Sequence, residues 1–392
     1  RFDIDARELV VDILIRLVEK KPEEKANIRN KLTSTPNLRR LGHHPRIKEC
    51  FGDITSPPFY PWLHRPVSAP PLADTIEQWL NGRENPFYPG RAEMESVDRV
   101  RGAYYLPAWL RPLVDEPGSY WLYGGEGSGR TALSLYLAYR AGEHRWFPVR
   151  LSWSATHPSA GQTVVADLQM AIMQAMAAHW LDILPSHPTA VLDLPSAHQQ
   201  QVITMLRWAV GDDATLIFGL RKATPEEALE KPIQVLESRI QAFKSEGFPY
   251  RSAPVPSEWF RLRPAGLEAT CVIIEVEDNL PPAACRHLLA FAGEMAAEQV
   301  YLRFIALHEP PFPAVPLRWS SADLEAILDQ RQADRLFFSR AVEAIRRKLA
   351  TAAHGRPRVM MALGQQAIKI HVERAPEDPY LNEDDIAAAI HL

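Results

Sequence analysis

The sequence predicts an α/β domain, a parallel sheet covered by helices, and three observations carry that reading. An apolar, aromatic run, Tyr120-Trp121-Leu122-Tyr123, ends in Gly124-Gly125-Glu126-Gly127-Ser128-Gly129-Arg130-Thr131 and opens into a helix-periodic segment from Ala132 to Leu137. A β-branched run, Thr270-Cys271-Val272-Ile273-Ile274-Glu275-Val276, ends among the acidic residues Glu275, Glu277 and Asp278. Strand-length apolar runs alternate with helix-length periodic segments, the order that gives parallel strands joined by crossover helices.

Residues 1–54 read as a small helical module. Leu9, Ile13 and Leu17 make one stripe of a helix over 3–20, with Val10, Leu14 and Val18 beside it, and Pro22 stops it. Shorter helices follow at 23–33 and 45–51. Pro57, Pro58, Pro61, Pro66, Pro70 and Pro71 prevent regular structure and mark a linker over 55–75. The α/β domain then spans 76–316. It opens with a short helix stopped at Asn81-Gly82, and after the glycine-rich loop come a helix to about Ala141 and a second strand at 147–153. Helices at 162–184 and 195–210, a strand at 215–220 and a helix at 225–245 lead to the strand at 270–276. A helix at 281–298 and a strand at 300–307 complete the alternation. Residues 317–392 read as a helical lid, with helices at 321–332, 334–352, onward from the Gly355-Arg356-Pro357-Arg358 break to about His371, and 383–391.

Charge excludes little and points nowhere strongly. The 44 Lys and Arg against 48 Asp and Glu leave no global field for nucleic acid or a membrane surface. Residues 1–50 carry 12 basic against 8 acidic side chains, a local excess that a solvated helical face explains. Three cysteines, Cys50, Cys271 and Cys285, lack metal-ligand spacing and suit a reducing cytoplasm. No signal peptide and no membrane-length apolar run is visible, and the sequence starts at Arg1 and not Met, as a piece of a longer protein would. His43-His44 and Ser152-Trp153-Ser154 lack the partners a metal or hydrolase site needs.

The chemistry concentrates in the glycine-rich stretch. The spacing from Gly124 to Gly129 to Thr131 fits G-x-x-x-x-G-K-[ST], with Arg130 at the lysine position. Glycines admit positive φ and let N–H groups close around an anion, and the following helix adds its positive end. Gly124, Gly125, Gly127, Ser128, Gly129, Arg130, Thr131 and Ala132 form the candidate phosphate site, and the Thr131 hydroxyl is placed to hold Mg2+. An apolar strand ending in carboxylates is where such a protein holds its metal and polarises water, which nominates Glu275 and Asp278.

Several pieces in this order resemble one family. Asn85-Pro86-Phe87 with Ala92-Glu93, the loop from Gly124 to Thr131 and the strand from Val272 to Glu275 come first. Leu317, Trp319, Leu324 and Arg331, then Gly355 with Pro357-Arg358, follow. Together they are similar to the STAND branch of AAA+-related P-loop NTPases, the signalling ATPases that include NACHT-type proteins, in their compact bacterial form. The resemblance spans roughly residues 76 to 390. It implies ATP or ADP with Mg2+ between sheet and lid, GTP being the open alternative, with Arg358 on the phosphate or adenine side. It also implies nucleotide-controlled self-association and an N-terminal module that passes a signal to a protein effector.

The departures from the family are chemical. Arg130 keeps the lysine's charge on a longer, planar head, Glu275 stands where the family has Asp, and Asp278-Asn279 stands where it has Asp-Glu. The expectation is weak or absent hydrolysis; a register shift of two would make Glu277 the metal-shell residue. Two rivals follow: a pseudo-NTPase interaction protein that binds no nucleotide, and a DNA-associated AAA+ ATPase supported only by the basic excess in residues 1–50.

Overall fold

The computed structural model describes positions 11, 14–22, 25, 28, 45–51, 74–88, 92, 100, 102–155, 161–183, 190, 193–210 and 255–391. The proline-rich 55–71 stretch, Glu93, the strand expected at 215–220 and the helix expected at 225–245 lie outside them. The chain divides into two compact units, one of Arg1–Trp62, Arg145–Phe147 and Met173–Ala269, the other of Leu63–His144, Pro148–Ile172 and Thr270–Leu392.

In chain order the helices are α1 (Pro45–Phe51), α2 (Asp74–Leu80), α3 (Arg111–Asp115), α4 (Arg130–Glu143), α5 (Gly161–Ile183), α6 (Ser196–Val210), α7 (Pro282–Ala297), α8 (Ser321–Gln330), α9 (Val342–Ala352), α10 (Pro357–Arg374) and α11 (Glu383–His391). The strands are β1 (Tyr120–Tyr123), β2 (Trp146–Trp153), β3 (Ala269–Val276), β4 (Val300–Ala306) and β5 (Val315–Pro316).

In the first unit Val11, Val18, Ile28, Ile47 and Phe51 form a small core, while Leu17 is exposed. Of the expected amphipathic helix, residues 14–20 are described and helical, with Val18 buried, Leu14 half-buried and Leu17 exposed. Elsewhere in this unit the Trp180 ring packs tilted against Phe147, centroids 5.7 Å apart, and donates from Nε1 to the Leu262 carbonyl at 3.4 Å.

The second unit holds the sheet, ordered β2-β3-β4-β1-β5. β1 runs parallel to β4 and β5, and β3 runs parallel to β4, which is what alternating strands and helices require. All eight residues of β3 are buried, which explains why it reads as a continuous apolar run rather than an alternating one. β4 thus separates the strand leading into the glycine loop from the strand bearing Glu275. The sheet with its covering helices is a P-loop NTPase type of α/β fold.

Helices α8 to α11 share a core with Trp79, Leu80 and Phe87, in which Gly364 of α10 lies under Phe87. One element differs from expectation. Only Val342–Ala352 of the 334–352 stretch is an α-helix, because Phe338 N donates to Leu381 O and Leu381 N to Leu336 O. Those bonds commit the backbone around Phe337 to a bridge with Leu381, and a 3-10 turn at Ala333–Leu336 precedes it.

Candidate functional site

β1 delivers the chain to the loop, and the ladder with β4 continues one residue further through Gly124 N to Ala306 O at 3.0 Å. Gly124 has to be glycine, since a Cβ there would stand 2.5 Å from Ser128 Oγ and 3.0 Å from Leu317 Cβ. Gly127 and Gly129 take φ of 80° and 87°, the left-handed region that other residues enter only under strain. Gly129 caps α4 without any side-chain cap. Among the described residues nothing accepts from the amides of Gly127, Gly129, Arg130, Thr131 and Ala132, leaving a row of N–H groups at the positive end of a 14-residue helix.

Two contacts hold the loop's carbonyls while its amides stay open. Trp319 Nε1 donates to Ser128 O at 2.7 Å, and Arg358 N donates to Gly127 O at 3.3 Å. The Ser128 hydroxyl is buried beneath the loop with no hydrogen-bond partner.

A cleft of about 210 Å3 opens beside the loop. Its charged lining is Arg130, Arg331 and Arg358, with Glu126 the one acidic residue among the described lining residues, 3.5 Å from Arg358 Nη1. Arg130 bonds no described residue, while Arg331 is anchored by Nε on the Pro86 carbonyl at 2.6 Å. The rest is apolar and aromatic, with Val100, Ala103, Tyr104, Tyr105, Ile327 and Met361. The Tyr104 ring stacks on Tyr136 at 4.3 Å, and burial pushes its hydroxyl pKa up, so that it stays neutral. Such a cleft can take an anion at the loop and a flat apolar group beyond it.

The carboxylates nominated from the sequence go to different places. Glu275 is buried at the end of β3, with Oε2 accepting from Thr131 Oγ1 at 3.1 Å. Its Oε1 accepts from Arg150 of β2 through Nη2 at 2.7 Å and Nε at 3.1 Å, and the same Nε is 2.6 Å from Ser134 Oγ of α4. Asp278 is elsewhere. Its Oδ2 accepts from Ser154 Oγ at 2.7 Å and Ala155 N at 2.6 Å, and with Asn279 it lines a small separate hollow beside His308 and Glu309.

The loop residues, Thr131, Glu275 and Arg358 are therefore brought together; Asp278 and Asn279 are not. The residue missed from the sequence is Arg150. Its one signal was an arginine inside a strand, where a charge needs a partner.

Thr131 and Glu275 are the residues that would hold Mg2+. Mg2+ takes six oxygens at about 2.0–2.1 Å and keeps several waters. Here Thr131 Oγ1 donates to Glu275 and keeps its lone pairs, but the carboxylate that would hold the metal's water shell is already ion-paired with Arg150. The loop fits phosphate and Thr131 fits Mg2+, whereas Glu275, already carrying Arg150, fits the metal poorly.

No helix among the described residues is long and apolar enough to cross a membrane. No protein-family model and no curated protein matches the chain. Among solved structures it is similar to the Holliday junction branch migration motor RuvB of Thermotoga maritima, at 11% identity over 78% of this chain and 72% of that one, with a TM-score of 0.32. It is also similar to C. elegans PCH-2, at 8% identity over 82% of this chain and 72% of that one, with a TM-score of 0.26. Likenesses at these scores add nothing to what the sheet order and the glycine loop establish: an α/β fold of the P-loop NTPase type.

Proposed function

We propose that this protein is a nucleotide-responsive scaffold of the STAND type within the AAA+ ATPases. It binds ATP or ADP with the phosphates on the amides of Gly127 to Ala132 and the base among Val100, Tyr104, Tyr105 and Met361. The observation that carries the reading is the open row of loop amides, facing three arginines and one glutamate in a cleft with an apolar end. Arg130 contributes charge to the phosphates, and Arg358, half exposed and on the lid side of the loop, closes over them.

Hydrolysis is slow or absent in this reading. Phosphoryl transfer needs a positioned water and a base beside the cleft, and Glu126 is the only carboxylate among the described lining residues. We expect turnover below about 0.01 s−1, against 1–100 s−1 for kinases. Nucleotide state instead governs self-association or assembly with a protein effector, with the helices after Leu317 reading it through Trp319 and Arg358.

Isothermal titration of the purified chain with ATP, ADP, GTP and GDP tests this. Binding is expected, and Gly124→Ala, whose Cβ collides with Ser128, weakens it at least about tenfold, some 1.4 kcal/mol. Absence of binding at millimolar ligand would leave the pseudo-NTPase reading in its place.

A further inference from the structure

We infer that Arg150 is the resident counter-cation of this site and that nucleotide binds without a divalent metal. The inference rests on the nucleotide-binding reading and deepens it. Glu275 has a side chain only 8% exposed, and each of its oxygens already has a partner: Arg150 on Oε1, Thr131 on Oε2. Thr131 lines the cleft, so this ion pair is one hydrogen bond away from it.

Three features make the arrangement more than a structural ion pair. The guanidinium is locked from two directions, because its Nε is shared between Glu275 and Ser134, one turn beyond Thr131 in the helix that starts at the phosphate loop. Its Nη1 bonds no described residue, and the side chain is 27% exposed, so the guanidinium is not saturated by Glu275 and Ser134. Its charge is permanent, since arginine does not lose its proton in proteins.

A divalent cation drawn to Glu275 would meet that fixed positive charge within a few ångströms. It would also have to share the carboxylate with Arg150, which bonds Oε1 through both Nε and Nη2. What Mg2+ supplies in a phosphate site is positive charge and oriented donors. Arg130 supplies both in the cleft, and Arg150 balances the Glu275 charge that the metal would otherwise meet. They do not supply a metal-polarised water, in keeping with slow turnover.

The test is ATP titration of the full chain in Mg2+ and in EDTA. The expected result is a dissociation constant that agrees within about threefold between the two buffers, well under one tenfold step. Binding in Mg2+ that weakens more than about tenfold in EDTA overturns the inference and leaves the nucleotide-binding reading standing. Binding in neither buffer overturns both. Arg150→Gln, checked for folding by circular dichroism, is expected to lose at least about tenfold in EDTA and to recover part of that in Mg2+, while Arg150→Lys stays metal-independent. An Arg150→Gln protein indistinguishable from wild type in both buffers also overturns it. The wild-type comparison needs no variant and stands even if both substitutions unfold the chain.

Discussion

Glu275 and Asp385 are both buried carboxylates that face an arginine, and they are built in opposite ways. Asp385 is fully buried among the C-terminal helices and bonds to near neighbours: His371 Nδ1 at 2.8 Å, Arg374 Nη2 at 2.6 Å and Asn382 N at 2.9 Å. Those partners lie 3 to 14 residues away and knit α10 to α11. Glu275 bonds to residues 144 and 125 positions away, on α4 and β2, at the edge of a cleft. A carboxylate saturated by its own neighbourhood fixes helix packing. One assembled from distant elements beside a glycine loop fixes a site.

The largest effect expected from breaking this contrast is in the helices. Asp385→Asn removes the countercharge to the half-exposed Arg374 and disturbs the buried hydrogen bonds to His371 and Asn382, and should cost about 2–3 kcal/mol in urea unfolding. ATP affinity should move less than about threefold at a temperature where the variant is folded. A folded Asp385→Asn protein that no longer binds ATP would show that the two carboxylates belong to one unit of function.

Glu275→Gln should cost less, about 1–2 kcal/mol, because Arg150 is partly exposed and finds water when the charge is lost. Its affinity in EDTA should persist, since the loop amides, Arg130 and Arg150 are all retained. Loss of metal-free binding in this variant would mean that Glu275 orients Arg150 more than it neutralises it.

The smallest effect belongs to Asp278. It accepts from Ser154 and Ala155 just past the end of β2, so Asp278→Asn should cost about 1 kcal/mol or less and leave the ATP titration curve in place. A tenfold fall in affinity would bring Asp278 back into the site.

Local elements were legible and distant pairings were not. The strand at Tyr120–Tyr123, the loop and the start of α4 follow from an apolar run, four glycines and a periodic segment, all contiguous. β3 shows itself by its β-branched residues and lack of alternation. Arg150 carried no comparable signal, because its meaning comes from Glu275, 125 residues later. The acidic cluster after β3 read as one chemical group for the same reason. Its members part once the chain turns at Asp278, one toward α4 and one toward the end of β2. The 334–352 stretch was periodic enough for a helix, and only the bridge between Phe337 and Leu381 stops it.

The bond from Trp319 Nε1 to Ser128 O also sets a schedule. The loop is made before its clamp: the indole that holds its carbonyl comes 191 residues later, and Arg358, which holds Gly127, later still. At roughly 5–20 residues per second of synthesis, about ten to forty seconds separate the loop's appearance from its clamp. Closing so long a contact is also intrinsically slow. A ribosome-bound chain of this protein would therefore present the glycine loop without a finished cradle, and nucleotide would be captured only after the segment bearing Trp319 and Arg358 has been made.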